Sequence, residues 1–136
     1  MHIDGACHCG QVQYTAEIDP ARVVVCHCSD CQTMSGSAFR VIAFTLEDRF
    51  QLTRGTIKAY IKTSADSGRP REQGFCADCG TGLYATAPGA DPKVYGVRLG
   101  TIRQRDQLKP RRQIWCRSAQ PWLAEIAALP SIDGQP

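Results

Sequence analysis

The sequence predicts a single, mainly β domain whose hairpin turns carry metal-binding cysteines and whose last element is a short helix. Three observations predict it. Short runs with alternating polar and apolar residues recur along the chain, which is the periodicity of half-buried strands. Cysteines and glycines crowd the gaps between those runs, where a turn can bring several sulfurs to one ion. Only one stretch, Trp122 to Leu129, reads as a convincing helix, started by Pro121 and ended before Pro130.

The 136 residues are most simply one domain spanning 1–136, long enough to bury a real core. A hydrophobic content of 43% and a charged content of 21% are ordinary for a soluble protein. The net charge of +3 is too small to imply a nucleic-acid partner, and no stretch is long enough to cross a bilayer. The basic residues are uneven, however: Arg69, Arg71, Arg98, Arg103, Arg105, Arg111, Arg112 and Arg117 all fall in the second half. They read either as solvated faces or as a basic pocket for an anion.

Eight cysteines are unusual for this length. An even count would suit four disulfides in an exported protein. The start Met1-His2-Ile3-Asp4-Gly5 lacks the basic residues and apolar run of a signal peptide. The expected compartment is therefore cytoplasmic, where thiols stay reduced and clustered cysteines point to metal or catalysis.

In order, Cys7-His8-Cys9-Gly10 comes first, flanked by Gly5 and Gly10, which permit the turn that brings both sulfurs to one side. Gln11 to Ile18 alternates as a strand, Asp19-Pro20 turns, and Arg22 to Val25 is a short apolar strand. That strand delivers Cys26-His27-Cys28-Ser29-Asp30-Cys31. Three thiols in six residues cannot all leave one face of a regular strand, but they converge if the chain wraps an ion. A helical turn over Gln32 to Met34 follows, with Ser29 or Asp30 as its N-cap, and Gly36-Ser37 breaks it. Strands are expected over Ala38–Thr45 and Phe50–Thr53, then a hairpin turn at Arg54-Gly55 into Thr56–Ile61. Ser64 to Pro70 and Ala87 to Pro92 are loops. Between them Cys76-Ala77-Asp78-Cys79-Gly80 reads as a zinc knuckle, two thiols three apart at a tight turn. Val94–Leu99 and Gln113–Cys116 are further strands.

Seven of the eight thiols thus form a pair, a triplet and a pair. The two pairs make one closed four-thiolate set, Cys7, Cys9, Cys76 and Cys79, which would tie two distant turns together. Cys26, Cys28 and Cys31 remain as an open set, although two of them could instead pair as a disulfide. Three ligands leave a fourth corner for water or substrate, the usual mark of a catalytic zinc. His27 reads as a possible base or ligand, Asp30 as a cap or as a group orienting water, and His8 as incidental. Cys116 reads as a small buried hydrophobe, or as a reactive thiol beside Arg117.

The ordered motifs Cys7-His8-Cys9-Gly10, Cys26-His27-Cys28-Ser29-Asp30-Cys31, Gly36-Ser37-Ala38-Phe39 and Phe75-Cys76-Ala77-Asp78-Cys79-Gly80-Thr81 resemble those of the glutathione-dependent formaldehyde-activating enzyme family, to which centromere protein V also belongs. Pro121-Trp122 fits its closing segment, so the resemblance covers nearly the whole chain. It implies a zinc-binding β-tent of small antiparallel sheets with zinc at the hairpin turns. It implies a structural zinc on Cys7, Cys9, Cys76 and Cys79, and a catalytic zinc on Cys26, Cys28 and Cys31. The implied reaction is that of a carbon–sulfur lyase, joining glutathione and formaldehyde into S-hydroxymethylglutathione. The expected partners are a small thiol such as glutathione and a small aldehyde. The thiol would lose its proton at the open corner and add to the carbonyl, with arginines holding its carboxylates and Gly36 and Ser37 lining the pocket. Two rivals stand beside this reading. One is a non-catalytic, zinc-stabilised binding module. The other is a methionine sulfoxide reductase-like enzyme using Cys116, for which the triplet has no counterpart.

Overall fold

The computed structural model describes residues 1–64 and 67–135. In chain order the strands are β1 (His2–Ala6), β2 (Gln13–Glu17), β3 (Val23–Cys26), β4 (Arg40–Leu46) and β5 (Phe50–Arg54). They continue as β6 (Ile57–Lys62), β7 (Arg71–Cys76), β8 (Gly82–Thr86), β9 (Val94–Arg98) and β10 (Arg112–Ile114). The α-helix α1 (Ser29–Ser35) follows β3. One sheet has the order β1-β2-β5, and the other has the order β10-β3-β4-β9-β8-β7-β6. The mainly β architecture with cysteines at its turns is therefore what the chain adopts. Among the described residues the strand pairings are antiparallel except β10 with β3, which are parallel.

Four local expectations change. Strand β1 was not foreseen, because Asp4 and Gly5 break the apolar pattern. Its inward positions are Ile3 and Gly5, and a Cβ on Gly5 would sit 2.3 Å from the Tyr14 ring. Glycine is there so that an aromatic ring can lie across the strand. Secondly, Arg54-Gly55 does not close a hairpin. Strand β5 pairs with β2 whereas β6 pairs with β7, so the chain passes from one sheet to the other. Gly55 makes that crossing at φ 79°, with the Gln11 carbonyl oxygen 2.2 Å from where a Cβ would stand. Thirdly, the C-terminal helix is a 3₁₀ segment, Pro121–Ala128, held by bonds such as Leu123 N–H to the Gln120 carbonyl. None of its residues is buried, so no packed face draws it into an α-helix. Lastly, α1 starts three residues earlier than its expected turn and is N-capped by Cys28, whose sulfur accepts the Cys31 N–H at 3.4 Å. Part of the expected loop over Ser64–Pro70, positions 65 and 66, lies outside the described residues.

Strand alternation gives the seven-stranded sheet two different faces. On one face Val23, Ala43, Val97 and Tyr84 pack against Ile3, Tyr14 and Ala16 of the other sheet, with Val41 partly buried beside them. Burying a side chain of this size stabilises the fold by about 1.5–3 kcal/mol. Phe50 joins the two sheets, its ring 5.0 Å from Tyr14, 5.7 Å from Tyr84 and 5.2 Å from Tyr95. The opposite face carries a smaller cluster of Val24, Cys26 and Ile42, with Phe44, Ile114 and Trp115 partly buried beside it. No second sheet covers that face among the described residues, and a cavity opens there.

The aromatic layer carries a pH signature. Burial pushes the Tyr14 phenol up to about 12, against a hydrogen bond to Thr101 that pulls it down, and burial also raises Tyr84 and Tyr95. A proton held more tightly in the folded state means stability is intact below the ordinary phenol value near 10 and falls as pH rises towards 12. Urea midpoints measured across that window are expected to decline. Tyr14→Phe should flatten part of the decline, at a cost of about 1 kcal/mol at neutral pH from the lost hydrogen bond.

Candidate metal and thiol-binding site

Two turns meet to form the closed cysteine group. Between β1 and β2, the Cys7 N–H donates to the Val12 carbonyl and the Gly10 N–H donates to the Cys7 carbonyl. Between β7 and β8 the same pattern recurs, Cys76 N–H to Thr81 carbonyl and Gly80 N–H to Cys76 carbonyl. Gly10 and Gly80 complete the turns at φ 78° and 72°. The sulfurs of Cys7, Cys9, Cys76 and Cys79 all lie within 4.8 Å of one another, with Cys7–Cys9 at 3.5 Å and Cys9–Cys76 at 3.8 Å. Zinc–sulfur bonds of about 2.3 Å at tetrahedral angles space sulfurs about 3.8 Å apart, so the four thiols fit that ion. The Val12 N–H donates to the Cys7 sulfur at 3.2 Å, as a thiolate ligand favours. Thr81 knits the two turns together: its hydroxyl accepts the His8 N–H at 3.1 Å and lies 3.1 Å from the Cys79 sulfur. That contact, with the Thr81 N–H, draws Cys79 down to about 5. The His8 residue itself is exposed.

The second group forms where β3 runs into α1. Cys26 ends the strand, Cys28 caps the helix and Cys31 lies in its first turn. Their sulfurs also fall within 4.8 Å of one another, with Cys26–Cys28 at 3.5 Å. Both groups could hold a metal ion, and the second has only three sulfurs. The three thiols are unequal. The hydrogen bond with Cys31 holds Cys26 below the usual thiol range, the same bond pushes Cys31 up, and burial pushes Cys28 up. Three clustered thiols resist joint ionisation, and a divalent cation between them removes that resistance.

Cross-strand register sets what surrounds the triplet. Cys26 pairs with Arg40 and Ile114, Ile42 with Arg98, Phe44 with Gly96, Gly96 with Ala85, Ala85 with Gln73, and Arg71 with Lys62. These side chains share one face of the sheet. They line a cavity of about 500 Å³ together with Cys28, Cys31, Met34, Arg69 and Trp115. Gly96 and Ala85 keep its floor low. Trp115 reaches it from a left-handed backbone, φ 58°, with the Arg117 guanidinium 4.8 Å from its ring centroid.

Among the described residues five basic side chains, Arg40, Lys62, Arg69, Arg71 and Arg98, line the cavity against one acid, Asp30. Asp30 is paired with Lys62, so it serves as a counter-ion and not as the helix cap. Among the described residues no carboxylate forms an ion pair with the four arginines. Burial, and then the Arg40 charge, pulls Arg98 down to about 9, the direction expected of a guanidinium short of counter-charge.

The remaining expected residues fall elsewhere. His27 is 2% exposed, with Nε2 2.7 Å from the Gln113 side-chain oxygen and its ring edge-on to Phe39, and it is not among the residues lining the cavity. Gly36 and Ser37 do not line the cavity of the triplet either. Gly36 ends α1 at φ 61° and both residues border a separate groove with Gln120 and Trp122. The seven residues of α1 carry the chain about 10 Å away from Cys28 before these two are reached. Cys116, expected to be buried, is exposed and opens a 3₁₀ turn, Cys116–Ser118. It belongs to neither sulfur group, because the Trp115 backbone turns the chain outward after β10. Arg40, Lys62 and Gln73 were not foreseen at all. Their only sequence signal is a polar residue at an inward strand position, which a solvated face would equally give.

The glutathione-dependent formaldehyde-activating enzyme family model matches residues 2–118. The chain belongs to this family. In fold it is similar to the crystal structure of a Rhodobacter sphaeroides protein from a structural genomics programme. The TM-score is 0.60 at 22% identity, covering 81% of this chain and 98% of that one. As a member of the family it carries the two expected cysteine groups, one where turns of the two sheets meet and one facing a cationic cavity. No described helix is long and apolar enough to cross a membrane.

Proposed function

We propose that this chain is a zinc-dependent carbon–sulfur lyase of the formaldehyde-activating type, taking an anionic thiol at Cys26, Cys28 and Cys31 and joining it to a small aldehyde. The observation that carries the reading is the meeting, in one cavity, of three grouped sulfurs with four arginines that form no ion pair with an acid among the described residues. Cys7, Cys9, Cys76 and Cys79 would hold a structural zinc. A zinc held by the triplet would supply a Lewis acid that favours the thiolate of an incoming thiol. The arginine wall attracts and orients a substrate that carries carboxylates, as glutathione does. Phe44, Ile114 and Trp115 supply the apolar side that limits water around the reacting sulfur. Sulfur then adds to the aldehyde carbon, and the carbonyl oxygen becomes a hydroxyl by taking up a proton. Cys116 does not line this cavity, so the reading assigns it no part in the reaction.

Cys28→Ser tests the reading cleanly, because serine is itself a good N-cap and α1 keeps its start. The variant is expected to fold, to hold one zinc per chain where the unaltered protein holds two, and to lose glutathione-dependent formaldehyde turnover by at least about a hundredfold. Unchanged thiol binding in a folded variant that has lost one zinc would sink the proposal.

A further inference from the structure

Gln73 occupies an unusual place in the cavity. It is 8% exposed on β7, and its side-chain oxygen accepts from Arg98 Nη2 at 2.7 Å and from Arg40 Nη1 at 3.4 Å. The two guanidiniums come from β9 and β4, neighbouring strands, and Arg98 is itself 8% exposed. Two like charges brought to one point in a poorly hydrated place normally require an anion between them. Here the bridging group is a neutral amide. A carbonyl oxygen has two lone pairs, enough to take one N–H from each arginine, and each guanidinium has five N–H donors. Gln73 therefore fixes the direction of both side chains while leaving their charge and most of their donors unspent. Three thiolates around a divalent ion would add only one net negative charge nearby, so the wall stays cationic.

We infer that Gln73 is a positioning residue that aims Arg40 and Arg98 as a clamp for a carboxylate, and that the thiol taken at the triplet is selected by carrying that carboxylate. This rests on the reading of the triplet as a thiol site, and it deepens that reading by naming the group that decides specificity. A glutamate at position 73 would have nearly the same shape, yet its charge would satisfy both arginines and close the clamp to an outside anion. Glutamine gives geometry without neutralisation.

The test uses the full chain loaded with cobalt in place of zinc, whose visible absorption reports a sulfur arriving at the metal. Two probes are titrated, 3-mercaptopropionate, which carries a carboxylate, and 2-mercaptoethanol, which does not. The unaltered protein is expected to bind the acid thiol at least about tenfold more tightly than the neutral one, with succinate competing against the acid thiol alone. Gln73→Glu is expected to erase that preference while leaving 2-mercaptoethanol binding within about twofold, a pattern that a general loosening of the site would not give. Preference for the acid thiol surviving intact in a folded Gln73→Glu protein would overturn the clamp. So would an unaltered protein that binds both thiols equally and ignores succinate, a result that needs no variant. If neither thiol perturbs the cobalt spectrum of the unaltered protein, the triplet reading fails and the clamp falls with it.

Discussion

Cys76→Ser is expected to cost the chain its folded state, where Cys28→Ser costs only the open site. The difference lies in what each sulfur group joins. Cys76 is 1% exposed, and its group links the β1–β2 turn to the β7–β8 turn, which belong to different sheets. Outside that link the sheets meet through the layer of Tyr14, Phe50, Tyr84 and Tyr95 and through the packing around Ile3 and Val97. Structural zinc in small sites is worth about 10–16 kcal/mol, comparable with the whole 5–15 kcal/mol by which a domain is stable. Losing one of four thiolates, and the ion with it, is therefore expected to remove near-UV circular dichroism and cooperative unfolding. Chelation of the unaltered protein should do the same, with the triplet's metal leaving first because it has fewer protein ligands. A Cys76→Ser protein with native near-UV signal and an unchanged denaturant midpoint would show that packing alone holds the sheets together.

Gly96→Leu is expected to abolish thiol binding while both metals stay in place. Gly96 sits on the cavity floor between Phe44 on β4 and Ala85 on β8. A Cβ there would stand 2.9 Å from an Ile42 methyl and 3.6 Å from the Phe44 ring. The leucine side chain must therefore rise into the 500 Å³ space and cover the approach to Arg98, the neighbour but one on the same strand. The expected loss in affinity for glutathione is at least about a hundredfold, or about 2.7 kcal/mol, with a stability cost of about 1–3 kcal/mol from the crowded floor. Metal content by elemental analysis and glutathione affinity by calorimetry read the two effects separately. Undiminished binding in a Gly96→Leu protein with two metals would mean that the thiol docks somewhere other than this face.

How much of this was legible in the sequence differs from residue to residue. The seven metal-type cysteines and their division into four and three were readable, because turn ligands lie close in sequence and thiols have few other reasons to cluster. Strand β2 was readable because it buries alternate residues, and β4 and β9 because they are rich in β-branched and aromatic residues. The crossing at Gly55 was not, since its positive φ serves a hairpin and a change of sheet equally well. Gly36 and Ser37 followed the triplet closely in sequence, and the helix between them carried them to another groove.

By itself the sequence determined the chemistry: which sulfurs could meet a metal, that the chain would be mainly β, and which family it resembles. Only the tertiary structure decided what faces the open sulfurs. Arg40, Gln73 and Arg98 lie 33 and 25 residues apart along the chain, yet they hydrogen-bond across three strands of one sheet face. Strand periodicity tells which residues share a face of one strand, but the order and register of strands in the sheet are set by long-range packing. That packing turned scattered basic residues into the wall of a site.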